Sequence, residues 1–486
     1  MKKEKIVLTD KQEQCVTFKP EGSLLVRGIP GSGKSTILLA RAQYLKKNYP
    51  NETLVILTFS RSLTNYVKQL AIKTGDGEIE AQTFHQWAHS LLKETSYPNT
   101  RLKIGNDREQ IVRFAMNIVN KNKKDASFPN MNVNKNEQTA LMKFLADEIE
   151  WIKGSYITSR SEYMEITRAG RGTKVRVTKK HRETIYDVLE KYNELLQSHR
   201  QHQGVDSEDL ARIIIEKIDE IPESVRPDHI LVDEAQDLHA IQLRAIKEVA
   251  KKSLTIGADK GQQIYRRTFT WKKAGIDVIG NRSRFLEETF RSTRQIVRLA
   301  NNFQEKDDLF VKDEDYIKAK EPDIEGKIPQ LFLCNNREEE TEYIIKHIKM
   351  IRASFPEDTI GLILNFNWEI DNLKPKIADQ GIPVFNLREG EFDMLSPGVK
   401  LITYQSSKGL EFDHVIITGL KEGKLPYKHS APGEDEGEFL SRERKKFYVA
   451  MTRAKKSLLM TASKPYSPFV FDLALNLYQI IENQMD

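Results

Sequence analysis

The sequence predicts an α/β fold in which two parallel-sheet domains follow each other and a mostly helical segment interrupts the first. Short apolar runs at 23–27 and 53–58 flank a glycine-rich turn and a helix predicted over 35–44. Apolar runs return in two later groups, at 229–232 and 253–256, and at 330–333, 359–364, 399–403 and 414–417. From 96 to 203 few such runs occur, and several stretches are helical in character. Strands that alternate with helices are typical of parallel sheets, because each crossover helix covers a sheet face.

Length and composition limit the class of protein. A chain of 486 residues is too long for one hydrophobic core, so several domains are expected. With 39% hydrophobic and 30% charged residues it is typical of globular proteins, and no apolar run approaches the ~18 residues of a membrane span. No long apolar stretch follows the first residues, 1–6, so we expect neither a secretory signal nor a membrane partner.

Charge and cysteine content narrow the expectation further. The net charge of +6 permits nucleic-acid binding without arguing for it alone. Cys15 and Cys334 are the only cysteines. Two isolated cysteines make neither a disulfide scaffold nor a zinc site, and they suit a reducing compartment. We therefore expect the protein in the cytoplasm.

A phosphate-binding loop lies between the first predicted strand and its helix. Gly28-Ile29-Pro30-Gly31-Ser32-Gly33-Lys34-Ser35 matches the P-loop pattern in the strand–loop–helix context that the pattern requires. Its glycines let backbone N–H groups curl around phosphate oxygens at the positive end of a helix. We expect Lys34 to reach the β- and γ-phosphates of ATP and Ser35 to bind Mg²⁺.

Two carboxylates end the strand predicted at 229–232. Asp233 and Glu234 are placed at the carboxyl edge of the sheet, beside the P-loop. Asp233 is expected to hold Mg²⁺ and Glu234 to polarise the attacking water. The alternative is a strand that merely ends in an acidic turn, and pairing with the P-loop upstream favours the catalytic interpretation.

Asp233-Glu234-Ala235-Gln236-Asp237 resembles motif II of the UvrD/Rep/PcrA group of superfamily I helicases. Other stretches resemble further motifs in the family's order, at 8–12 (Q motif), 58–61 (Ia), 83–85 (Ic), 257–265 (III), 286–293 (IV), 403–412 (V) and 442–454 (VI). The resemblance implies two RecA-like domains. Domain 1A would comprise 1–95 and 205–290, the helical insertion 1B would comprise 96–204, and domain 2A would comprise 291–486.

The resemblance also implies roles around the nucleotide. Gln12 would bond the adenine, Phe290 would stack on it, and Gln262 would sense the γ-phosphate. The expected catalytic residues are Lys34, Glu234, Gln262, Arg291 and Arg453, and Ser35 and Asp233 are the expected metal ligands. The expected nucleotide-binding residues are Gln12, Gly28, Gly31, Ser32, Gly33, Lys34, Ser35, Thr36, Phe290, Arg291, Glu411 and Arg453. Because Arg291 and Arg453 come from the second domain, both would reach ATP only when the domains approach.

A nucleic-acid groove is implied by the same motifs. Its expected residues are Thr58, Phe59, Ser60, Arg61, Thr83, Phe84, His85, Tyr265, Trp271 and Thr403. Any one of the aromatic residues, taken alone, is more typical of a core; as a set, some are expected to stack on bases. A basic stretch in the insertion contains Arg168, Arg171, Lys174, Arg176, Lys179, Lys180 and Arg182. It is either part of the nucleic-acid interface or a solvated face.

Four departures from the family pattern stand out. Gln405 replaces the motif V histidine, Phe290 stands where tyrosine is usual, and Arg266-Arg267 follow Tyr265 where many members place an aromatic residue. The fourth concerns the helical subdomain 2B that precedes motif V in relatives, since only a short stretch separates Val384 from Val399. Subdomain 2B is therefore expected to be missing or vestigial.

The acidic segment 205–210 has two interpretations. It matches either the family's acidic re-entry into domain 1A or a simple helix cap by Asp206.

The sequence thus predicts an ATP-driven motor on single-stranded DNA, a translocase or helicase whose 3′→5′ direction is implied by the resemblance alone. A 3′-tailed duplex and a protein partner such as a nuclease are further expected partners. The alternative is an ATP-switched nucleic-acid-binding module that recruits a nuclease or repair partner without unwinding. A small-molecule kinase fits poorly, because it leaves motifs IV to VI unexplained. The sequence makes no prediction of the oligomeric state.

Overall fold

The computed structural model describes residues 7–75, 79–97, 101–129, 137–168, 175–199, 201–259, 271, 274–311, 318–387, 389, 393–427 and 435–482. This part of the chain forms two parallel sheets of six and seven strands, so the predicted α/β class is confirmed. None of the described helices combines the length and the apolar character that crossing a membrane requires.

The first sheet contains β1 Gly22–Gly28, β2 Leu54–Thr58, β3 Ala81–Thr83, β4 His229–Val232, β5 Ser253–Ala258 and β6 Ser283–Leu286. Their order across the sheet is β3-β2-β4-β5-β1-β6, and every neighbouring pair is parallel. The predicted strand at 229–232 has the observed bounds. Because all strands run in one direction, their carboxyl ends lie along one edge, where sites form in such sheets.

Four helices accompany the early strands of this sheet: α1 Asp10–Val16 precedes β1, α2 Lys34–Asn48 and α3 Arg61–Thr74 connect β1 to β2 and β2 to β3, and α4 Phe84–Leu92 follows β3. Three of them begin at side-chain caps, where Thr9, Ser60 and Thr83 accept a backbone N–H of the first turn. Such caps satisfy N–H groups that have no partner within the helix, so they fix where each helix begins.

The insertion forms α5 Asn106–Asn122, α6 Glu137–Gly154, α7 Arg160–Glu165 and α8 Lys179–Ser198. Its helical character is as predicted. Ile111, Ile149 and Tyr192 are fully or almost fully buried in a hydrophobic cluster made of insertion residues. The insertion therefore has a core of its own.

Buried ion pairs join the insertion to the first sheet domain, which resumes with α9 Ser207–Glu216 and α10 Ala240–Val249. Asp206 caps α9, accepting the Asp209 N–H at 2.8 Å through Oδ1, so the helix-cap interpretation is confirmed. Its other oxygen pairs with Lys153 of α6, whose ammonium also lies 2.7 Å from Asp209. Breaking such a buried pair typically costs about 3–5 kcal/mol, so these contacts fix the junction.

The second sheet contains β7 Gln330–Cys334, β8 Thr359–Leu364, β9 Val384–Asn386, β10 Gly398–Thr403, β11 Phe412–Ile417, β12 Ala454–Ser463 and β13 Gln479–Glu482. Their order is β13-β7-β12-β11-β8-β10-β9, again with parallel neighbours. Its helices are α11 Arg294–Gln304, α12 Asp308–Val311, α13 Arg337–Ser354, α14 Asn367–Ala378, α15 Glu436–Met451 and α16 Pro468–Phe471.

The two sheet domains share one hydrophobic cluster. It contains Leu38 and Leu63 from the first domain together with Phe303 and Leu410 from the second. The two sheet domains are therefore in direct contact.

Within the second sheet, only the segment 387–397 connects β9 to β10, and this segment is too short to hold a helical subdomain.

Candidate active site

The P-loop lies between β1 and α2 and is packed against residues of two other motifs. Gly31 and Gly33 adopt φ angles of 76° and 86°, which side-chain-bearing residues rarely tolerate. A Cβ at Gly33 would lie 2.7 Å from the Gln12 amide nitrogen, and one at Gly31 would lie 2.5 Å from Thr289 Oγ1. Glycine is required at both positions because of the backbone conformation and the close neighbours.

Polar groups of the loop fit a phosphate ligand. Lys34 Nζ lies 2.8 Å from the Gly28 carbonyl, 2.9 Å from that of Ile29 and 3.2 Å from Asp259 Oδ2, so its charge is held inside the loop. Ser32 Oγ is buried and has no hydrogen-bond partner among the described residues. A buried polar atom without a partner is costly, and a bound phosphate oxygen would satisfy it.

Ser35 and Asp233 bring two oxygen ligands together at the carboxyl end of β4. Ser35 Oγ donates to Asp233 Oδ2 at 2.5 Å. Burial, and then the neighbouring charge of Glu234, raise the pKa of Asp233 to about 6. A hydroxyl beside a carboxylate is the kind of donor set that Mg²⁺ prefers, and the cation would relieve the repulsion between the two acids.

Glu234 stands beside Asp233 in a left-handed backbone conformation, with φ at 54°. Gln236 donates to its Oε2, and Lys408 of the second domain places its ammonium 3.7 Å from the same oxygen. Burial acts to raise the pKa of Glu234, but the cations Lys408, Lys34 and Arg453 outweigh it and lower the pKa. The carboxylate is therefore ionised near neutral pH, as a group that accepts a proton from water must be.

Two arginines of the second domain reach this cleft. Arg291 donates to Thr36 Oγ1 of α2 and pairs with Glu411, so three expected nucleotide-binding residues are in contact. Arg453 is buried and donates to the Val449 carbonyl at 2.9 Å and to Thr452 Oγ1 at 3.0 Å. Burial lowers the pKa of Arg453, with Glu234 and Asp259 opposing the shift.

The residues expected around the adenine lie at the rim of the P-loop. Gln12 Nε2 donates to the Ser32 carbonyl at 2.9 Å, while its Oε1 accepts the Thr9 N–H. The Phe290 N–H donates to the Gly31 carbonyl at 3.3 Å, and the residue is 38% exposed. Both residues are thus anchored to the loop. Gln262 lies outside the described residues.

Some of the expected groove residues lie at strand ends, and the others lie outside the strands. Thr58, Thr83 and Thr403 end β2, β3 and β10, so they lie at the carboxyl edges of the two sheets. Thr403 is half-buried, as is His85, whose Nε2 bonds Ser207 Oγ at 2.8 Å. Ser60 caps α3, Arg61 is exposed, and Phe59 and Trp271 are half-buried against the core of the first domain. Tyr265 lies outside the described residues.

Three of these expectations are corrected. Phe84 is 1% exposed in the core of the first domain, so no base can stack on its ring in this conformation. Thr58 and Thr83 are also buried, and their hydroxyls bond Thr64 and the first turn of α4. Their side chains therefore lie beneath the surface at the carboxyl edge of the sheet, where the expected groove would run.

The basic stretch of the insertion contains two arginines with partners inside the protein and three exposed basic residues. Arg168 pairs with the buried Glu148, and Arg182 donates to the carbonyls of 163, 164 and 166. These two arginines are structural, which corrects the interpretation of the stretch as one basic surface. Arg176, Lys179 and Lys180 are exposed, whereas Arg171 and Lys174 lie outside the described residues.

An aromatic row at the edge of the second sheet was missed by the sequence analysis. Phe366 follows β8, and its ring stacks on Trp368 at 6.1 Å and meets Tyr427 at 5.5 Å. Arg337 and Lys424 lie over the Trp368 ring at 4.9 and 5.3 Å. Exposed aromatic rings beside cations can stack on bases and attract phosphates, so we add this row to the candidate groove. The signal was the pair of aromatics directly after a predicted strand.

Comparison with known proteins covers both sheet domains. The model of the UvrD/REP helicase N-terminal domain matches residues 8–286, and that of the UvrD-like helicase C-terminal domain matches 285–393 and 386–465. The chain is similar to a probable DNA helicase of Mycoplasma pneumoniae, with 22% identity over 94% of this chain and 83% of the relative.

Two further relatives align over smaller shares of their length. A probable DNA helicase II homolog of Mycoplasma capricolum is 22% identical over 78% of this chain, which spans 51% of that protein. DNA helicase II of Escherichia coli is 38% identical over 20% of this chain and 13% of its own length. The N-terminal family model alone matches more than half of this chain. The chain therefore belongs to the UvrD/REP family of ATP-dependent DNA helicases.

Proposed function

We propose that this protein is an ATP-driven motor that moves 3′→5′ along single-stranded DNA and opens duplexes that carry a 3′ tail. ATP would be hydrolysed with Mg²⁺ in the cleft between the two sheet domains. The direction rests on the resemblance to the family alone. Cys15 and Cys334 are buried and not joined in a disulfide, which supports a location in the reducing cytoplasm.

One observation carries this proposal, namely the set of charges that converges on the P-loop from both domains. Lys34 and Glu234 come from the first domain, while Arg291 and Arg453 come from the second. Arg291 touches Thr36 directly after the P-loop, and Lys408 reaches motif II. A kinase with one sheet domain would not explain why a second sheet domain supplies cations to this site.

In this proposal, the residues of the cleft would supply the chemistry that phosphoryl transfer requires. Glu234, ionised beside its cations, would accept the proton of the attacking water. Lys34, Arg291 and Arg453 would neutralise the charge that develops on the γ-phosphoryl group, a contribution worth about 10³–10⁵ in rate for an arginine finger. Mg²⁺ held by Ser35 and Asp233 would neutralise phosphate charge when bound. After hydrolysis the γ-phosphoryl group that Arg291 and Arg453 would share is no longer attached to the nucleotide, so the cleft can open.

The track would run across the carboxyl edges of the two sheets. Arg61 and the half-buried Phe59 and Thr403 lie along this edge, with Trp368 and Tyr427 on the second domain. Stacking needs no base sequence, because every base has a π-face, and a motor requires that tolerance. The two ends of this surface lie on different domains, so opening and closing the cleft would change their spacing.

A second candidate function follows from the short segment 387–397. Subdomain 2B has no room there, which favours a translocase, or a helicase that depends on a partner such as a nuclease. The same absence also allows a function of a different class, an ATP-switched nucleic-acid-binding module that recruits a nuclease or repair partner without autonomous unwinding. Tight ATP-dependent binding with slow turnover would favour this candidate over the motor.

The test is the ATPase rate of the full chain with no nucleic acid, single-stranded DNA, duplex DNA and single-stranded RNA. We expect stimulation of at least about tenfold by single-stranded DNA, and much less by duplex or RNA. Turnover that is indifferent to every nucleic acid would contradict the motor and would favour control by a protein partner.

A further inference from the structure

Lys408 belongs to the second sheet domain, yet its ammonium lies against the catalytic segment of the first. Its Nζ is 2.6 Å from Asp237 Oδ2 and 3.7 Å from Glu234 Oε2. The Lys408 side chain is 6% exposed, and both carboxylates are buried. Among the described residues it is thus a direct charged link from motif V to motif II.

The turn that carries Lys408 begins at Thr403, the end of β10 and an expected groove residue. The Ser407 N–H donates to the Thr403 carbonyl at 2.9 Å, and Ser407 Oγ donates to the Tyr404 carbonyl at 2.8 Å. The Ser406 N–H donates to Thr403 Oγ1 at 3.3 Å. These bonds leave little slack between Thr403 and Lys408.

The same turn is pressed onto the helix that follows the motif Ia segment. Gly409 has a φ of 74°, and a Cβ there would lie 2.9 Å from the side chain of Leu63 in α3. Helix α3 begins at Arg61, directly after Phe59 and Ser60 of the expected groove. The turn therefore touches the groove side of the first domain at Leu63 and its catalytic side at Asp237.

On the motif II side the partners of Lys408 are also fixed. The Asp237 N–H donates to the Glu234 carbonyl at 3.0 Å, so the two acids share one short turn. Gln236 donates to Glu234 Oε2, and its own Oε1 accepts the Asp259 N–H at 2.9 Å. A displacement of Lys408 would therefore change the orientation of the Glu234 carboxylate toward the attacking water.

We propose that Lys408 is a positioning residue, which couples the strand bound at Thr403 to the orientation of Glu234 and so sets the DNA-stimulated rate of hydrolysis. The coupling rests on the proposed function, because it requires both a track and a hydrolytic water. Misplacement of a reacting group by about 1 Å can cost about 10²-fold in rate, so a small movement of the turn suffices.

The experiment measures kcat and KM for ATP with increasing oligo(dT) in the full chain and in Lys408 variants. Lys408→Ala is expected to lower the DNA-stimulated kcat at least about tenfold, while KM for ATP stays within about threefold. Lys408→Arg is expected to recover part of the loss, because its longer fork reaches the same carboxylates.

Two further variants separate coupling from folding. Lys408→Met combined with Asp237→Leu removes both buried charges, which is often tolerated, and it should fold yet remain poorly stimulated. The matched control is Lys400→Met, since Lys400 is a buried lysine of β10 whose bonds go to Ser396 and the Pro397 carbonyl, away from motif II. It should keep kcat within about twofold of the wild type.

The outcomes separate this inference from the proposed function. Stimulation by oligo(dT) that is unchanged in Lys408→Ala, or fully restored in the double variant, would overturn the role of Lys408. A wild-type protein that oligo(dT) does not stimulate would overturn the proposed function itself.

Discussion

The candidate nucleotide cleft and the proposed nucleic-acid groove of this protein differ in how far their motifs determine their geometry. In the cleft, residues far apart in sequence are in contact, as in the pairs Lys34–Asp259 and Arg291–Glu411. In the groove, the strand ends share an edge, but Phe84 lies in the core and Thr83 caps a helix. The same kind of sequence match was therefore more informative in one region than in the other.

The difference has a physical origin. A buried charge is costly unless it is paired, and a positive φ angle admits few residues other than glycine. These constraints leave the charged and glycine-rich motifs of the cleft few alternative arrangements. An aromatic ring can pack in a core as well as on a base, so the motif alone did not separate Phe84, which is buried, from Phe59, which is half-buried against the same core.

The largest effect is expected in the cleft for Lys34→Ala. The γ-phosphate loses its main cation, so kcat should fall by at least about 10³-fold. Steady-state ATPase with saturating oligo(dT) measures it, and Lys46→Ala, at the far end of the same helix, serves as the control. Wild-type turnover in Lys34→Ala would mean that this loop does not bind the γ-phosphate.

A somewhat smaller loss is expected for Glu234→Gln, which keeps the shape of the side chain but removes the base. ATP binding should persist while kcat falls about 10²–10³-fold, because the attacking water is no longer activated. A fluorescent ATP analogue reports the binding and phosphate release reports the turnover. Normal turnover would mean that another group activates the water.

In the groove, Trp368→Ala should weaken binding of single-stranded DNA about tenfold, since stacking on one aromatic ring is worth about 1–3 kcal/mol. Phe84→Leu is the matched aromatic control, and it should change affinity less than about twofold while it lowers the melting temperature. Fluorescence anisotropy of labelled oligo(dT) and thermal unfolding measure the two effects. A loss of DNA affinity in Phe84→Leu and not in Trp368→Ala would mean that Phe84 binds the strand and Trp368 does not.

The smallest effect concerns the exposed part of the basic stretch, Arg176, Lys179 and Lys180. Their joint replacement by Ala should lower DNA affinity about fivefold and reduce the slope of log K against log salt by about 1. The slope distinguishes an interface from a solvated face, because only phosphate contacts release counterions. An unchanged slope would assign these residues to a solvated face.

Much of the fold followed from the sequence. The apolar runs at 229–232 and 359–364 became strands with those bounds, because buried parallel strands are continuous apolar segments. The same reasoning located Ser35 beside Asp233. It gave no role to Lys408, because its partners lie in another domain and only the packed structure brings them together. It read Arg168 and Arg182 as surface charges, since their partners, a buried carboxylate and loop carbonyls, leave no local pattern.

The most direct test of the motor is movement along the track. The rate of ATP-driven streptavidin release is measured from oligo(dT) biotinylated at its 5′ or its 3′ end. A motor that moves 3′→5′ should release streptavidin much faster from the 5′ end, and Glu234→Gln should abolish the difference. Stimulated ATPase with no faster release from either end would contradict the motor and favour the ATP-switched binding module.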